Sequence, residues 1–157
     1  MKNRILALTS ALIVLAISLC SCSLIFGDVD EQGDVTVAVE NIDGTYDVFE
    51  VYLENVENKN EGANGILEYL NAKDDGLYLE MTDSTYGAYV SAIGSIKEDG
   101  ASGAYVMVYT SVATDSYDGA PTVDYNGTTL YQSGVGLSGM NIESGTVILF
   151  RLETNPF

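Results

Sequence analysis

The chain carries two cysteines, Cys20 and Cys22, and both lie at the end of one apolar N-terminal segment. It contains no histidine. If that segment is removed as a leader, the remaining domain has no disulfide and none of the Cys or His ligands that a structural zinc site uses. It must therefore be held together by a hydrophobic core. Its length is sufficient for one such core but not for two ordinary domains.

The N-terminal segment has the features of a secretory signal peptide. Lys2 and Arg4 precede an apolar run over residues 5–19, which is shorter than the roughly 20 residues of a membrane-spanning helix. The segment Leu19-Cys20-Ser21-Cys22 resembles a bacterial lipobox, with Leu three positions and a small residue one position before the modified cysteine. We interpret residues 1–21 as a lipoprotein signal peptide and Cys22 as the lipidated N-terminus. An ordinary signal peptide and an uncleaved anchor are the alternatives.

The charge of the chain excludes one large class of partners. Six basic residues stand against 23 acidic ones, for a net charge of −17, and loss of the leader would make the balance more negative. Nucleic-acid binding needs a basic surface that displaces counterions, so no nucleic-acid partner is expected. The same charge disfavours contact with an anionic bilayer. We therefore expect a location in the cell envelope, outside the cytoplasmic membrane, with membrane contact through the lipid alone.

Hydrophobic periodicity divides the rest of the chain into an acidic tether, residues 22–33, and a single domain, residues 34–157. Alternating Val35, Val37 and Val39 predict a first strand. A second strand with Phe49 and Val51 on one face follows after a turn, so the two are predicted to form a hairpin. Residues 63–70 then show the i, i+3, i+4, i+7 apolar spacing of one helical face.

Several strands are predicted after this helix. Alternating segments lie at residues 77–81, 86–93, 105–109 and 146–152. Asn126-Gly127 between two further short strands is a strong signal for a two-residue hairpin. The order of hairpin, helix and strands predicts an α+β fold, with one main helix packed on a mostly antiparallel sheet.

Six segments of the domain, taken in order, resemble the transcobalamin-like C-terminal domain family. They are a leucine-rich helix at 65–70, a glycine-aromatic strand at 86–94, an aromatic strand at 105–109, Tyr125-Asn126-Gly127, Gly134-Val135-Gly136 and a closing element at 142–147. The chain has Val106 where many members carry Trp, and Thr146 where they usually carry Asp. The resemblance implies a domain related to the β-grasp fold over residues 34–157. It also implies a small-molecule ligand, with a corrinoid such as cobalamin as the expected one, bound alone or beside a partner protein.

The tyrosines of the domain are the remaining candidates for ligand contact, because a tyrosine ring offers a flat apolar face with a polar tip. The simpler interpretation is that the same tyrosines fill the core or cover the sheet. A surface module for protein interaction or adhesion, without a small-molecule ligand, is the alternative function. The candidate ligand-binding residues are Tyr86, Tyr89, Tyr105, Tyr109, Tyr125, Tyr131, Ser133 and Gly134.

Neither an enzymatic role nor a firmly implied cofactor is expected. Without histidine the chain lacks the commonest general base and metal-binding imidazole. The carboxylates Asp83, Asp99, Asp115 and Asp118 fall in turn-like stretches, where acidic residues usually bond to nearby backbone groups. Residues 28–33 begin like a calcium loop, but Val39 occupies the position of the closing Glu. A looser calcium site among loop carboxylates is left open, and no metal ligands are assigned.

Overall fold

The computed structural model describes residues 34–73, 77–84, 87–154 and 156. The leader, Cys22, the tether at residues 22–33 and Tyr86 lie outside the described residues, so the interpretations made for them stay predictions. The calcium-loop resemblance at residues 28–33 lies outside them as well.

The hairpin predicted at the start of the domain is confirmed. Strand β1 (Val35–Glu40) pairs antiparallel with β2 (Tyr46–Val51), and Val37 stands opposite Phe49. Gly44 in the connecting turn has a φ of 81°, a conformation that glycine adopts without steric cost. The alternating valines of β1 are buried on one face, as their period of two requires.

The predicted helix is also confirmed and runs as α1 over Gly62–Asn71. Its buried face contains Ala63, Ile66, Leu67 and Leu70, which are the residues that the apolar spacing indicated. This burial holds the helix in place, because a ten-residue helix is marginal in isolation. Within the described part of the chain, no helix combines the length and apolarity that crossing a membrane requires.

The next three strands form a small sheet of their own, which differs from the single sheet predicted. Strands β3 (Leu79–Ser84), β4 (Gly87–Ile93) and β5 (Ile96–Lys97) lie in the order β3-β4-β5, and both pairs are antiparallel. Gly94, with a φ of 56°, turns the chain from β4 into the very short β5. Since β3 and β5 occupy both edges of β4, this strand cannot pair with the larger sheet.

The larger sheet has six strands. Its later members are β6 (Ala104–Thr110), β7 (Thr122–Tyr125), β8 (Thr128–Gln132) and β9 (Thr146–Thr154). The strands lie in the order β2-β1-β9-β6-β8-β7, with β1 and β9 parallel and all other neighbours antiparallel. The predicted Asn126-Gly127 hairpin joins β7 to β8. The coarse prediction of an α+β, mostly antiparallel fold is confirmed.

The larger sheet has a hydrophobic core on each face. The main core lies between its valine-bearing face, helix α1 and the small sheet, and includes Val37, Ile66, Val90 and Phe150. The second core lies on the opposite face and contains Ala38, Met107, Tyr109, Tyr125, Leu130 and Leu149. Strand β9 is therefore buried on both sides, because neighbouring residues of a strand point to opposite faces.

Curling of the sheet encloses the second core. Tyr46 on the edge strand β2 and Tyr125 on the opposite edge strand β7 meet edge to face, with ring centroids 5.1 Å apart and planes inclined at 73°. Such a pair contributes about 1 kcal/mol beyond its buried area. The two ends of the sheet are thus brought together over the apolar side chains between them.

Candidate functional site

A cleft opens where β6 loses its strand neighbour. Strand β8 pairs with β6 only at Tyr109 and Thr110, so within the described larger sheet the earlier part of β6 has no strand on that side. Strand β4 of the small sheet faces this edge and leaves a cleft of about 160 Å³. The residues lining it are Ala88, Tyr89 and Val90 from β4, Tyr105, Val106, Met107 and Val108 from β6, and Ser133, Val135, Gly136 and Leu137 from the loop after β8.

Hydrogen bonds fix the start of the loop that forms the third wall. The Ser133 amide donates to the Val108 carbonyl at 2.9 Å, and the Gly134 amide donates to the Asp115 carbonyl at 2.8 Å. The Ser133 hydroxyl donates to the carbonyl of Val135 at 2.9 Å. The loop is therefore positioned before any ligand arrives, which lowers the ordering cost of binding.

Close backbone contacts hold the rest of the loop. A Cβ atom at Gly62, where α1 begins, would lie 2.6 Å from the carbonyl oxygen of Leu137, and one at Gly87 would lie 3.4 Å from the Cα of Gly136. Both glycines also have positive φ, which glycine tolerates best. The starts of α1 and β4 thus support this wall from outside the cleft.

The carboxylate of Glu98 lies beside this otherwise uncharged cleft and bonds to two of its lining residues, Tyr89 and Val106. Its Oε1 atom accepts a hydrogen bond from the Val106 amide at 3.1 Å and another from the Tyr89 hydroxyl. Burial raises the pKa of Glu98 above its usual value, and the bond from the Val106 amide acts in the opposite direction. The carboxylate therefore accepts the bond from the Val106 amide of β6 that the carbonyl of a neighbouring strand would otherwise accept.

The structure brings together part of the predicted ligand-binding set. Tyr89, Tyr105 and Ser133 line the cleft, and Tyr89 is 41% exposed. Gly134 lies in the same loop but packs against Tyr117, with the Tyr117 Cδ1 atom 3.1 Å from the site of a Cβ. Tyr131 is half-buried on β8 and does not line the cleft. Three of the predicted residues thus share one site although they are far apart in sequence.

Two predicted tyrosines occupy the second core instead of the cleft. Tyr109 is 1% exposed, and its hydroxyl donates to Glu153 Oε1 at 2.7 Å. Burial, together with the neighbouring Glu153, raises the pKa of Tyr109 well above its ordinary value. Tyr125 is buried against Tyr46, and burial likewise raises its pKa. Tyr109 is therefore a residue of the core and not a residue that contacts a ligand in the cleft.

Sequence reasoning missed Glu98, Val135 and Leu137 as residues of the site. Glu98 follows a two-residue strand that gives no periodic signal, and its partners Tyr89 and Val106 lie on different sheets. Val135 lies between two glycines, Gly134 and Gly136, in a segment without apolar alternation. No local pattern marks such a site, because only the packing of the two sheets creates it.

Two of the four carboxylates considered for catalysis hold loops, whereas Asp83 lies in strand β3 and not in the turn-like stretch that was expected. Asp115 is buried and accepts bonds from the backbone amide of Asn141 at 2.8 Å and from its side-chain amide. Hydrogen bonds from Ser102 and from the Ala101 amide lower the pKa of Asp99, as expected in a tight turn. Among the described residues, no three His, Cys, Asp or Glu side chains come together as a metal-binding group.

A second groove, of about 360 Å³, runs beside α1. Five of its seven lining residues are exposed, namely Asn55, Glu57, Asn58, Glu68 and Ala72. Its only aromatic ring, that of Tyr69, already has the Lys73 ammonium 4.4 Å from its centroid. The groove is wider than the cleft, but it offers mostly solvated side chains. The cleft beside β6, with its apolar walls and the partly buried Glu98 carboxylate next to it, is the better candidate site.

Comparison with known proteins shows a solved structure with a similar fold. No family model matches the chain, and no curated protein matches it. The crystal structure at 1.30 Å resolution of a protein from Ruminococcus gnavus ATCC 29149, described as a "putative metal binding protein", is similar to it, with a TM-score of 0.54 and 15% identity. The match covers 78% of this chain and 98% of that chain. At this identity the likeness shows a shared fold.

Proposed function

We propose that the chain is a lipid-anchored extracytoplasmic binding protein, and that the cleft beside β6 holds part of a small molecule. The observation that carries the proposal is the meeting of Tyr89, Tyr105 and Ser133 in one apolar cleft, although each lies on a different element. We propose binding rather than catalysis, because Asp115 and Asp99 are engaged in holding loops.

We further propose that the domain is of the β-grasp type. The arrangement that supports this is an N-terminal hairpin followed by one helix, with the first strand, β1, parallel to the last, β9, in the middle of the sheet. The sequence resemblance to the transcobalamin-like C-terminal domain family supports the same assignment. The three-stranded sheet β3-β4-β5 would then be an addition that supplies one wall of the cleft.

The size of the cleft limits what it can hold. A cavity of about 150 Å³ accommodates one benzene ring, so a cleft of about 160 Å³ takes one ring or one short side group. A corrinoid is much larger, and we propose that it would insert one peripheral group and lie over Tyr89 and Val135. The description of the Ruminococcus gnavus protein supports a binding role of a general kind.

Blocking the mouth of the cleft tests this proposal. Val135 lines the cleft and is 42% exposed, so Val135→Trp places a large ring across the opening with little change to the core. We expect the variant to bind cobinamide or cobalamin at least about tenfold more weakly, a loss of about 1.4 kcal/mol. Absorbance titration of the full chain up to about 100 μM corrinoid measures the change.

Val48→Trp is the matched control, because Val48 is 47% exposed on β2 and does not line the cleft. Its affinity for the corrinoid should equal that of the unaltered chain. A full chain that binds neither corrinoid at about 100 μM would exclude the corrinoid assignment. Equal weakening by both substitutions would show that the ligand does not use the cleft.

The lipid anchor has a test of its own in the two cysteines. We expect Cys22→Ser to abolish incorporation of labelled palmitate and to release the protein from the membrane fraction, because serine lacks the thiol that carries the lipid. Cys20→Ser should leave both properties unchanged, since Cys20 would be lost with the leader. Labelling that depends on Cys20 instead would place the lipidated cysteine two residues closer to the N-terminus.

One observation favours the alternative of a surface interaction module. Tyr46 and Val48 stand exposed on the edge strand β2, and an edge strand can pair with a strand of another protein. A module of this kind would use β2 and leave the cleft empty. It would therefore bind no corrinoid in the titration above.

A further inference from the structure

The charge beside the cleft is negative. None of its lining residues is an Asp, Glu, Lys or Arg, and Glu98 lies beside it, bonded to the lining residues Val106 and Tyr89. The ammonium of Lys97, the nearest basic residue in sequence, is 2.9 Å from Glu80 Oε2, and the Lys97 side chain is 63% exposed. Lys97 therefore has a carboxylate partner of its own in Glu80. The net charge of −17 adds to this negative field.

The Glu98 carboxylate can accept further hydrogen bonds at Oε2. The bonds from the Val106 amide and the Tyr89 hydroxyl both end on Oε1, and Oε2 makes no hydrogen bond within the described part of the chain. An ionised carboxylate can accept several bonds, and a bond from a cationic donor is shorter and stronger than one from a neutral donor. The position therefore suits a ligand group with positively charged N–H donors.

Two aromatic rings reinforce this preference. Tyr89 and Tyr105 both line the cleft, and a cation near the face of a tyrosine ring is attracted by its quadrupole. The hydroxyl of Tyr89 already bonds to Glu98, so this ring lies beside the carboxylate. The apolar side chains of Val90, Met107 and Leu137 complete a wall that suits a hydrocarbon body.

We infer that the cleft selects small organic amines, in which an ammonium group meets Glu98 and one ring or short hydrocarbon group fills the space between β4 and β6. This inference rests on the proposed function and names the class of ligand group that its site takes. It applies equally to a free amine and to an amine-bearing part of a larger ligand. Anions of the same size are excluded by Glu98, and neutral analogues bind more weakly.

Three ligands of nearly equal size but different charge show whether ligand charge, rather than ligand shape, determines the affinity. Benzylamine, benzyl alcohol and benzoate are titrated into the ¹⁵N-labelled full chain, and the amide signals of Tyr89 and Val106 are followed. We expect benzylamine to bind about tenfold more tightly than benzyl alcohol, as a bond to a charged group implies. Benzoate should produce no shift at these signals.

Glu98→Gln tests the role of the carboxylate in this preference. The glutamine amide oxygen can still accept from the Val106 amide, and loss of a charge whose burial is unfavourable should leave the domain folded. In this variant benzylamine and benzyl alcohol should bind equally. The control Glu54→Gln removes one charge at an exposed residue that does not line the cleft, and should keep the tenfold preference.

The possible outcomes separate this inference from the proposed function. Binding of all three ligands with similar affinity, or tighter binding of benzoate, would overturn the amine preference and leave a small-molecule site in place. Absence of any shift with all three would overturn the small-molecule site itself. Comparison of benzylamine with benzoate on the unaltered chain needs no variant, so the inference can be overturned even if Glu98→Gln fails to fold.

Discussion

Gly65→Ala is expected to lower the free energy of unfolding by about 3 kcal/mol, an unusually large effect for the addition of one methyl group. A Cβ at Gly65 would lie 2.1 Å from the carbonyl oxygen of Asn58 and 2.7 Å from its carbonyl carbon. These are backbone atoms and cannot rotate away. Either α1 or the turn Lys59–Glu61 before it must move, and α1 also supports the loop wall of the cleft through Gly62.

The expected decrease in unfolding free energy is opposite in sign to the effect of helix propensity, which favours alanine over glycine by about 1 kcal/mol in a helix interior. Gly100→Ala is a matched control, because a Cβ there meets no atom within 4 Å. It should be neutral, or stabilising by up to about 1 kcal/mol. Urea denaturation of both variants measures the difference. Equal stability of the two would show that α1 does not approach Asn58 as closely as described.

Leu149→Ala is expected to cost about 3 kcal/mol of unfolding free energy, within the range of about 2–5 kcal/mol found for buried leucines. Leu149 is 1% exposed and lies in the second core with Met107 and Tyr109. Its truncation leaves a cavity between the strands of the curled sheet. The result is informative because it measures whether this second face is truly a packed interior.

The competing interpretation is that the tyrosines on this face form an open platform for a partner. In that case Leu149→Ala would remove a half-solvated side chain and cost less than about 1 kcal/mol. Val48→Ala serves as the comparison, since Val48 lies on the same face but is exposed at the sheet edge. Thermal or urea unfolding should show a large loss for Leu149→Ala and a small one for Val48→Ala.

Features of the fold that depend on neighbouring residues could be predicted from the sequence. Asn126 and Gly127 have φ values of 51° and 80°, and these two residue types adopt such angles readily, so the hairpin between β7 and β8 is encoded locally. The apolar spacing of Ile66, Leu67 and Leu70 likewise determined the buried face of α1. In each case a short stretch of sequence contains both the signal and the structure it forms.

Features that depend on distant pairing could not be predicted in this way. The alternation of Tyr105, Met107 and Tyr109 showed that these side chains share a face, but not what covers it. That depends on the curl which brings Tyr46 to Tyr125. The cleft has the same origin, because Tyr89, Tyr105 and Ser133 meet only when the two sheets pack. Period-two patterns identify a strand and its faces, but leave the partner of each face open.

The position of β9 has a consequence for how the chain acquires its structure. This strand is the last of the domain in sequence, yet it lies between β1 and β6 and supplies Leu149 to one core and Phe150 to the other. Before it arrives, β1 and β6 each lack the neighbour on one side, and pairing Val35 with Thr146 closes a loop spanning most of the domain. Folding therefore waits for the whole domain, because pairing of strands far apart in sequence is slow. A chain delivered in the N-to-C direction would stay open until its final strand is available.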